Sequence, residues 1–285
     1  MPHLGVITDE ISEDLDTALD LCEELGIAHI ELRSVWNTSI VEHDNEAIRR
    51  IGEAIWERGM SVCAIASPFL KCHIDGDGAA AGRTHSASAT TRADQWNILA
   101  RSLEIAARLD TPIVRAFSFW RLDDPESVRD EILDVLGQAT LRVKSAGLRL
   151  GLENEHACNI GSGQEARWYL ERISDPTLGL IWDPGNSAAL GVVPIPDDYA
   201  AVRDRIHHIH LKDALRLGEP AEFTTLGNGI IDYTAQFRML AEDHYDGVLS
   251  LENHFTIDGS SDAATRANAT AVRRLAADTG LTIAP

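Results

Sequence analysis

The chain has 285 residues, 45 of them acidic and 25 basic, for a formal net charge of -20. Its 44% apolar and 25% charged content is globular, so it can bury a core without disulfides or a partner to fold. The acidic balance argues against nucleic acid and anionic membrane, and no run reaches the ~20 apolar residues of a membrane span.

Short β-branched runs alternate with amphipathic stretches along the chain. Residues 3–8 read as the first strand. Ser12 offers an N-cap, and Leu15, Ala18, Leu19, Cys22 and Leu25 mark one helical face that stops at Gly26. Residues 28–32 form a second strand. Ile48, Ile51 and Ile55 mark a second helix ending near Gly59, and residues 61–66 form a third strand. Residues 67–91 break the rhythm. They are rich in Gly, Ala, Ser and Thr without an apolar period, which predicts a lid or a disordered loop.

The alternation then resumes. Trp96, Leu99, Leu103 and Ala107 make a helix face, and residues 112–117 a fourth strand. Asp124-Pro125 reads as N-cap and first helical position of a helix running to Gly147. Residues 148–153 are strand five and 164–173 a helix. Residues 178–182 are strand six, followed by a Gly/Pro-rich stretch and a short helix near 199–203. Residues 206–211 are strand seven, 232–243 a helix, 247–251 strand eight and 262–278 the closing helix. Eight strand–helix units without a linker favour one (β/α)8 TIM barrel domain over residues 1–285, in the α/β class. A doubly wound sheet is the alternative, but the first strand is followed by Thr8-Asp9-Glu10 and no G-x-G-x-x-G. Cys22, Cys63, Cys72 and Cys158 are scattered and read as reduced. The start, Met1-Pro2-His3-Leu4, lacks signal-peptide features, so a cytoplasmic protein is expected.

In a barrel, chemistry sits at the C-terminal strand ends. Strand five ends in Glu153, strand six is followed by Asp183, strand seven carries His210, and strand eight is followed by Glu252. The intervals of 30, 27 and 42 residues are each about one βα unit, so the four would meet around half of the mouth. Three converging carboxylates repel one another unless a cation sits among them. Two Glu, one Asp and one His make an oxygen-rich site suited to one Mn2+ or Mg2+, with Co2+ or Zn2+ tolerated. Four protein ligands leave positions for substrate oxygens, as in a catalytic centre. Strand alternation puts His208 and His210 on one face and His207 on the other.

The motifs Leu-Glu-Asn (152–154), Trp-Asp-Pro-Gly-Asn (182–186), His-x-His-Leu-Lys-Asp (208–213), Leu-Gly-Asn-Gly (226–229) and Leu-Glu-Asn-His (251–254) carry a resemblance, joined by Ile-Glu-Leu-Arg at 30–33. They resemble the xylose isomerase-like TIM-barrel superfamily of sugar isomerases and epimerases, which also holds inosose dehydratase and endonuclease IV. The resemblance implies a divalent ion on Glu153, Asp183, His210 and Glu252, with the two glutamates as acid/base pair. Asn186 stands where the keto-sugar epimerases place a histidine, which leaves the substrate open. Arg216 stands where they use a substrate-binding arginine. Glu31, Trp36, Ser67, Arg115 and His208 are further substrate-side candidates, and Phe117 offers a ring for a sugar face. Lys212 and Asp213 read as either a local ion pair or a substrate contact.

The implied function is a metal-dependent sugar or keto-sugar isomerase/epimerase in carbohydrate metabolism, working through a cis-enediolate. The same constellation supports a dehydratase (lyase) of keto-inositol, keto-glycoside or dehydroshikimate type. An endonuclease is opposed by the acidic charge, and a non-catalytic barrel by the intact ligand set. The expected partner is a small sugar-derived molecule, with a homo-oligomer left open.

Overall fold

A computed structural model describes residues 1–75 and 91–284. Eight strands form one closed parallel barrel: β1 His3–Ile7, β2 His29–Leu32, β3 Ser61–Ile65, β4 Ile113–Ala116, β5 Arg149–Glu153, β6 Leu178–Trp182, β7 Ile206–Leu211 and β8 Val248–Leu251. Each strand pairs with its sequence neighbours, and β8 closes on β1 with Leu251 opposite Val6. All C-terminal strand ends therefore open on one mouth.

Apart from α6, the helices follow the predicted order. They are α1 Leu15–Leu25, α2 Asn45–Glu57, α3 Gln95–Arg108, α4 Arg129–Ser145, α5 Gly163–Arg172, α6 Pro184–Ala189, α7 Tyr233–Glu242 and α8 Ser261–Thr279. Their apolar stripes, such as Ile48, Ile51 and Ile55 on α2, are buried against the barrel. Among the described residues, no helix is long and apolar enough to cross a membrane. All four cysteines are free and buried.

Several local expectations need correction. The N-cap of α1 is Asp14, whose carboxylate accepts from the Thr17 N–H at 2.9 Å; Ser12 instead accepts from Asp14. The Asp14 carboxylate sits at the position from which it reaches the Thr17 N–H, and Ser12 lies two residues too early. Asp124 makes no side-chain cap, and Pro125–Val128 is a 3-10 turn before α4. The stretch after β6 is not mere loop, because Asp183 caps Pro184–Ala189 into α6. The short helix expected near 199–203 is reduced to residues 199–200, which continue the turn at Pro194–Asp198, and Arg203–Arg205 forms a separate 3-10 turn. Of the lid expected over 67–91, residues 76–90 lie outside the described residues. Residues 67–75 are packed, with Phe69, Leu70, Cys72 and Ile74 buried.

One close contact joins the N-terminus of α5 to the 194–198 turn. Gly163 donates its N–H to Asp198 Oδ2 at 3.0 Å, and a Cβ there would lie 2.3 Å from the Asp198 carbonyl oxygen. Backbone cannot give way as a side chain can. Gly163→Ala is expected to cost ~1–3 kcal/mol, lowering the melting temperature by a few degrees. An unchanged melting curve would disprove this.

Candidate metal centre

Glu153 ends β5, and Asp183 and Glu252 directly follow β6 and β8, while His210 lies within β7. All four are buried, and each offers one ligand atom within 4.8 Å of the others. The four residues singled out in the sequence thus lie together in the fold.

The hydrogen bonds divide each group into an anchored atom and an inward atom. Arg115 Nη1 donates to Glu153 Oε2 at 3.0 Å, leaving Oε1 inward. The Asn186 backbone N–H donates to Asp183 Oδ1 at 2.9 Å, leaving Oδ2 inward. Arg33 Nη1 donates to Glu252 Oε1 at 3.1 Å, leaving Oε2 inward. His210 Nε2 lies 3.1 Å from both oxygens of Glu31, which leaves Nδ1 inward. That Nδ1 is buried without a hydrogen-bond partner, 3.5 Å from Glu153 Oε1 and from Glu252 Oε2. An imidazole nitrogen turned toward two carboxylate oxygens fits a divalent cation, which would accept all four inward lone pairs. The donor set fits the implied ion.

The charges agree. Burial opposes the imidazolium of His210, but Glu31, Glu153 and Glu252 outweigh it and hold its pKa well above the usual range. Burial also opposes ionisation of Glu252, yet Lys212, His254 and His210 hold that carboxyl well below its usual range. Asp183 goes the other way, pushed up to about 6 by burial, with Glu252 and Glu153 adding repulsion against the pull of Lys212. A carboxylate ionised with difficulty is one that gains most from a cation.

The other candidates divide into those that join this centre and those that do not. Asn186 joins it, as Nδ2 lies 3.3 Å from Glu153 Oε1 and 3.1 Å from Asp183 Oδ2. Its Oδ1 lies 3.1 Å from His156 Nδ1. Arg115 joins it through Glu153, and its guanidinium lies over the Phe117 ring at 4.6 Å. Glu31 orients His210 and touches His208 at 3.0 Å, so both Glu31 and His208 stand behind the ligands inside the barrel. Ser67 turns its hydroxyl to Ser102 on α3 at 2.8 Å, and only its carbonyl meets Arg115. Trp36 packs outward, edge-on to His43 and under Arg50 of α2. Arg216 is exposed, donating to the Pro220 carbonyl and Glu222. Ser67, Trp36 and Arg216 therefore place no side chain at this centre. Asp213 does not pair with Lys212; its carboxylate accepts from the N–H groups of Gly227, Gly229 and Ile231.

Three participants lacked an assignment in the sequence. Arg33 shares the inward face of β2 with Glu31, two residues earlier, so strand alternation could have found it. Lys71 reaches Glu155 at 3.3 Å from the non-periodic segment, where no pattern marks it. Asn154 clamps the neighbouring strand end, donating to the Asp183 carbonyl at 2.8 Å and accepting its N–H at 2.9 Å.

Glu31 gives a direct test of the anchoring. Glu31→Gln removes the carboxylate that orients His210, and the expected loss of divalent-ion affinity is about 10–100-fold. Unchanged Mn2+ affinity by calorimetry would refute the orienting role.

A parallel eight-stranded barrel with a His/Asp/Glu centre at its C-terminal mouth defines the structural class. Residues 19–275 match the xylose isomerase-like TIM barrel family, and the chain belongs to it. Over 149 residues it is 24% identical to the inosose dehydratase of Lacticaseibacillus casei, covering 46% of this chain and 50% of that protein. The chain thus spans about half the length of that curated relative. The fold resembles a crystal structure of the IolI protein with a bound zinc atom, with TM-score 0.76 and 16% identity over 97% of this chain and 99% of that one. It also resembles a D-tagatose 3-epimerase-like protein, with TM-score 0.75 and 18% identity over 98% of each chain.

Proposed function

We propose that the protein is a divalent-metal-dependent enzyme that moves a proton at the carbon beside a ketone in a sugar or sugar-derived polyol, and that its reaction is an isomerisation or epimerisation. The observation that carries this reading is the partition of Glu153, Asp183, His210 and Glu252 into four anchored and four inward atoms. A bound divalent ion supplies Lewis-acid polarisation of the ketone. Glu153 and Glu252 come from non-adjacent strands, with β6 and β7 between them. Their inward oxygens therefore address a substrate from two directions. One takes the proton and the other returns it, on the opposite face for epimerisation or at the neighbouring carbon for isomerisation. Arg115 and Arg33 keep both carboxylates aimed while the proton is away. Asn186 offers an amide N–H on the same side as Asp183 and Glu153.

A second reading is dehydration of a keto-polyol. It is favoured by the likeness to an inosose dehydratase and by a buried ammonium, Lys212, beside the inward carboxylates, where a leaving hydroxyl needs a proton donor. A screen of keto-sugars and keto-inositols with Mn2+ in deuterium oxide, read by NMR, separates the two. Isomerisation or epimerisation keeps every substrate oxygen and can leave deuterium at the reacting carbon. Dehydration loses water. Turnover that persists with full metal removal would overturn both readings.

A further inference from the structure

The sequence contains three lysines, and two of them, Lys71 and Lys212, are buried at the barrel mouth. Lys212 Nζ lies 2.8 Å from Asp183 Oδ2 and 2.9 Å from Glu252 Oε2. Those are two of the four inward ligand atoms, not the anchored ones. Its side chain is 1% exposed, so these ion pairs are scarcely screened by water.

The position is built by the surrounding chain. Tyr233 holds the Lys212 backbone from both sides, its hydroxyl donating to the Lys212 carbonyl at 2.9 Å and accepting the Lys212 N–H at 3.0 Å. Gly185 lets the stem pass, since a Cβ there would lie 2.9 Å from Lys212 Cγ and 2.7 Å from its carbonyl oxygen. The ring of Phe223 lies 5.2 Å from Nζ and offers the ammonium a second, weaker partner. An arrangement this fixed is not a surface lysine that happens to meet an acid.

A divalent cation and an ammonium would draw on the same two oxygens, and they repel each other. We propose that Lys212 is an internal counter-cation of the acidic centre, and that divalent-ion loading displaces its ammonium from Asp183 and Glu252. Lys212 thereby sets the metal affinity, acting through the two carboxylates as a positioning residue. It holds two of the buried carboxylates together and keeps affinity below what the ligand set alone would give. This inference rests on the proposed metal centre.

The test is Mn2+ binding by calorimetry on the chelator-treated full chain, with no substrate present. Lys212→Met keeps the length of the side chain and removes the charge. It is expected to bind Mn2+ at least tenfold more tightly than the unaltered protein, to melt at a lower temperature in chelator, and to gain more from added metal. Lys212→Arg keeps the charge and should not tighten binding. A side chain that merely scaffolds the ligands would give the opposite sign, since its loss would weaken binding. Equal or weaker binding by folded Lys212→Met overturns the inference and leaves the metal centre standing. If the unaltered protein and Lys212→Met both fail to bind Mn2+, the metal centre and the inference fall together.

Should Lys212→Met not fold, the unaltered protein carries the test. With ε-labelled lysine it gives three ammonium signals, assigned by replacing each lysine with arginine. Titration with diamagnetic Mg2+ should speed hydrogen exchange of the Lys212 ammonium and leave that of Lys144 unchanged. An ammonium whose exchange stays slow at saturating Mg2+ has not left its carboxylates, and that result overturns the proposal.

Discussion

Asp183→Ala is expected to lower Mn2+ affinity by at least ~100-fold and to erase the rise in melting temperature that Mn2+ gives the unaltered protein. At a metal concentration ~100 times the dissociation constant, that rise corresponds to about 2.7 kcal/mol, or roughly 5 °C for a chain of this size. The substitution has opposing effects on the fold itself. It removes the N-cap of α6, at a cost of ~1 kcal/mol. It also removes a carboxylate that burial makes hard to ionise, which relieves repulsion from Glu252 and Glu153. The Lys212 ammonium also loses its partner at 2.8 Å, so the melting temperature in chelator should fall, while metal binding collapses. Binding should also depend on pH. The Asp183 carboxyl, at about 6, and the His210 imidazolium, held well above its usual range, both keep a proton that competes with the ion, so affinity falls as pH drops through the range of His210 and then of Asp183. Unaltered affinity in Asp183→Ala would remove Asp183 from the ligand set.

The four-group centre was legible because a barrel turns sequence spacing into geometry. Ligands one βα unit apart land on adjacent strand ends, and β5 through β8 end within a residue or so of their expected limits. Strand alternation likewise sent His208 and His210 inward and His207 outward, where it packs on Gly179. What escaped were contacts fixed by loops. Arg216 lies near the mouth in sequence, yet the antiparallel pairing of Asp213–Ala214 with Phe223–Thr224 carries it to the surface. Trp36 sits in the left-handed region at φ 53 in a short hairpin, which turns its ring toward α2. No apolar period reports either turn. The helix α6 escaped for a related reason. Asp-Pro-Gly-Asn suits a turn as well as a helix start, and only the cap from Asp183 to the Asn186 N–H decides between them. Lys212 was noticed, but the sequence left an ion pair with Asp213 open, and that carboxylate is consumed by three backbone N–H groups.

Glu153→Gln and Glu252→Gln are each expected to lose turnover by at least ~100-fold at saturating Mn2+, the usual scale for general acid–base catalysis. Saturation matters because each carboxylate serves two masters. Arg115 requires an acceptor at Glu153 Oε2 while the centre requires one at Oε1, and Arg33 makes the same demand of Glu252 Oε1. An amide has one oxygen and one NH2 group, so it can satisfy only one of these. Some loss of metal affinity will accompany either substitution, and excess Mn2+ removes it from the comparison. What remains is the missing base. If two faces of the substrate are used, each variant should still exchange the proton on the face served by its surviving glutamate, although net conversion stops. Deuterium washing into substrate without product would be the signature. A one-base reaction would instead leave one variant nearly active. Turnover at the unaltered rate in both metal-loaded variants would mean that neither glutamate moves the proton, and the acid/base assignment would have to be abandoned.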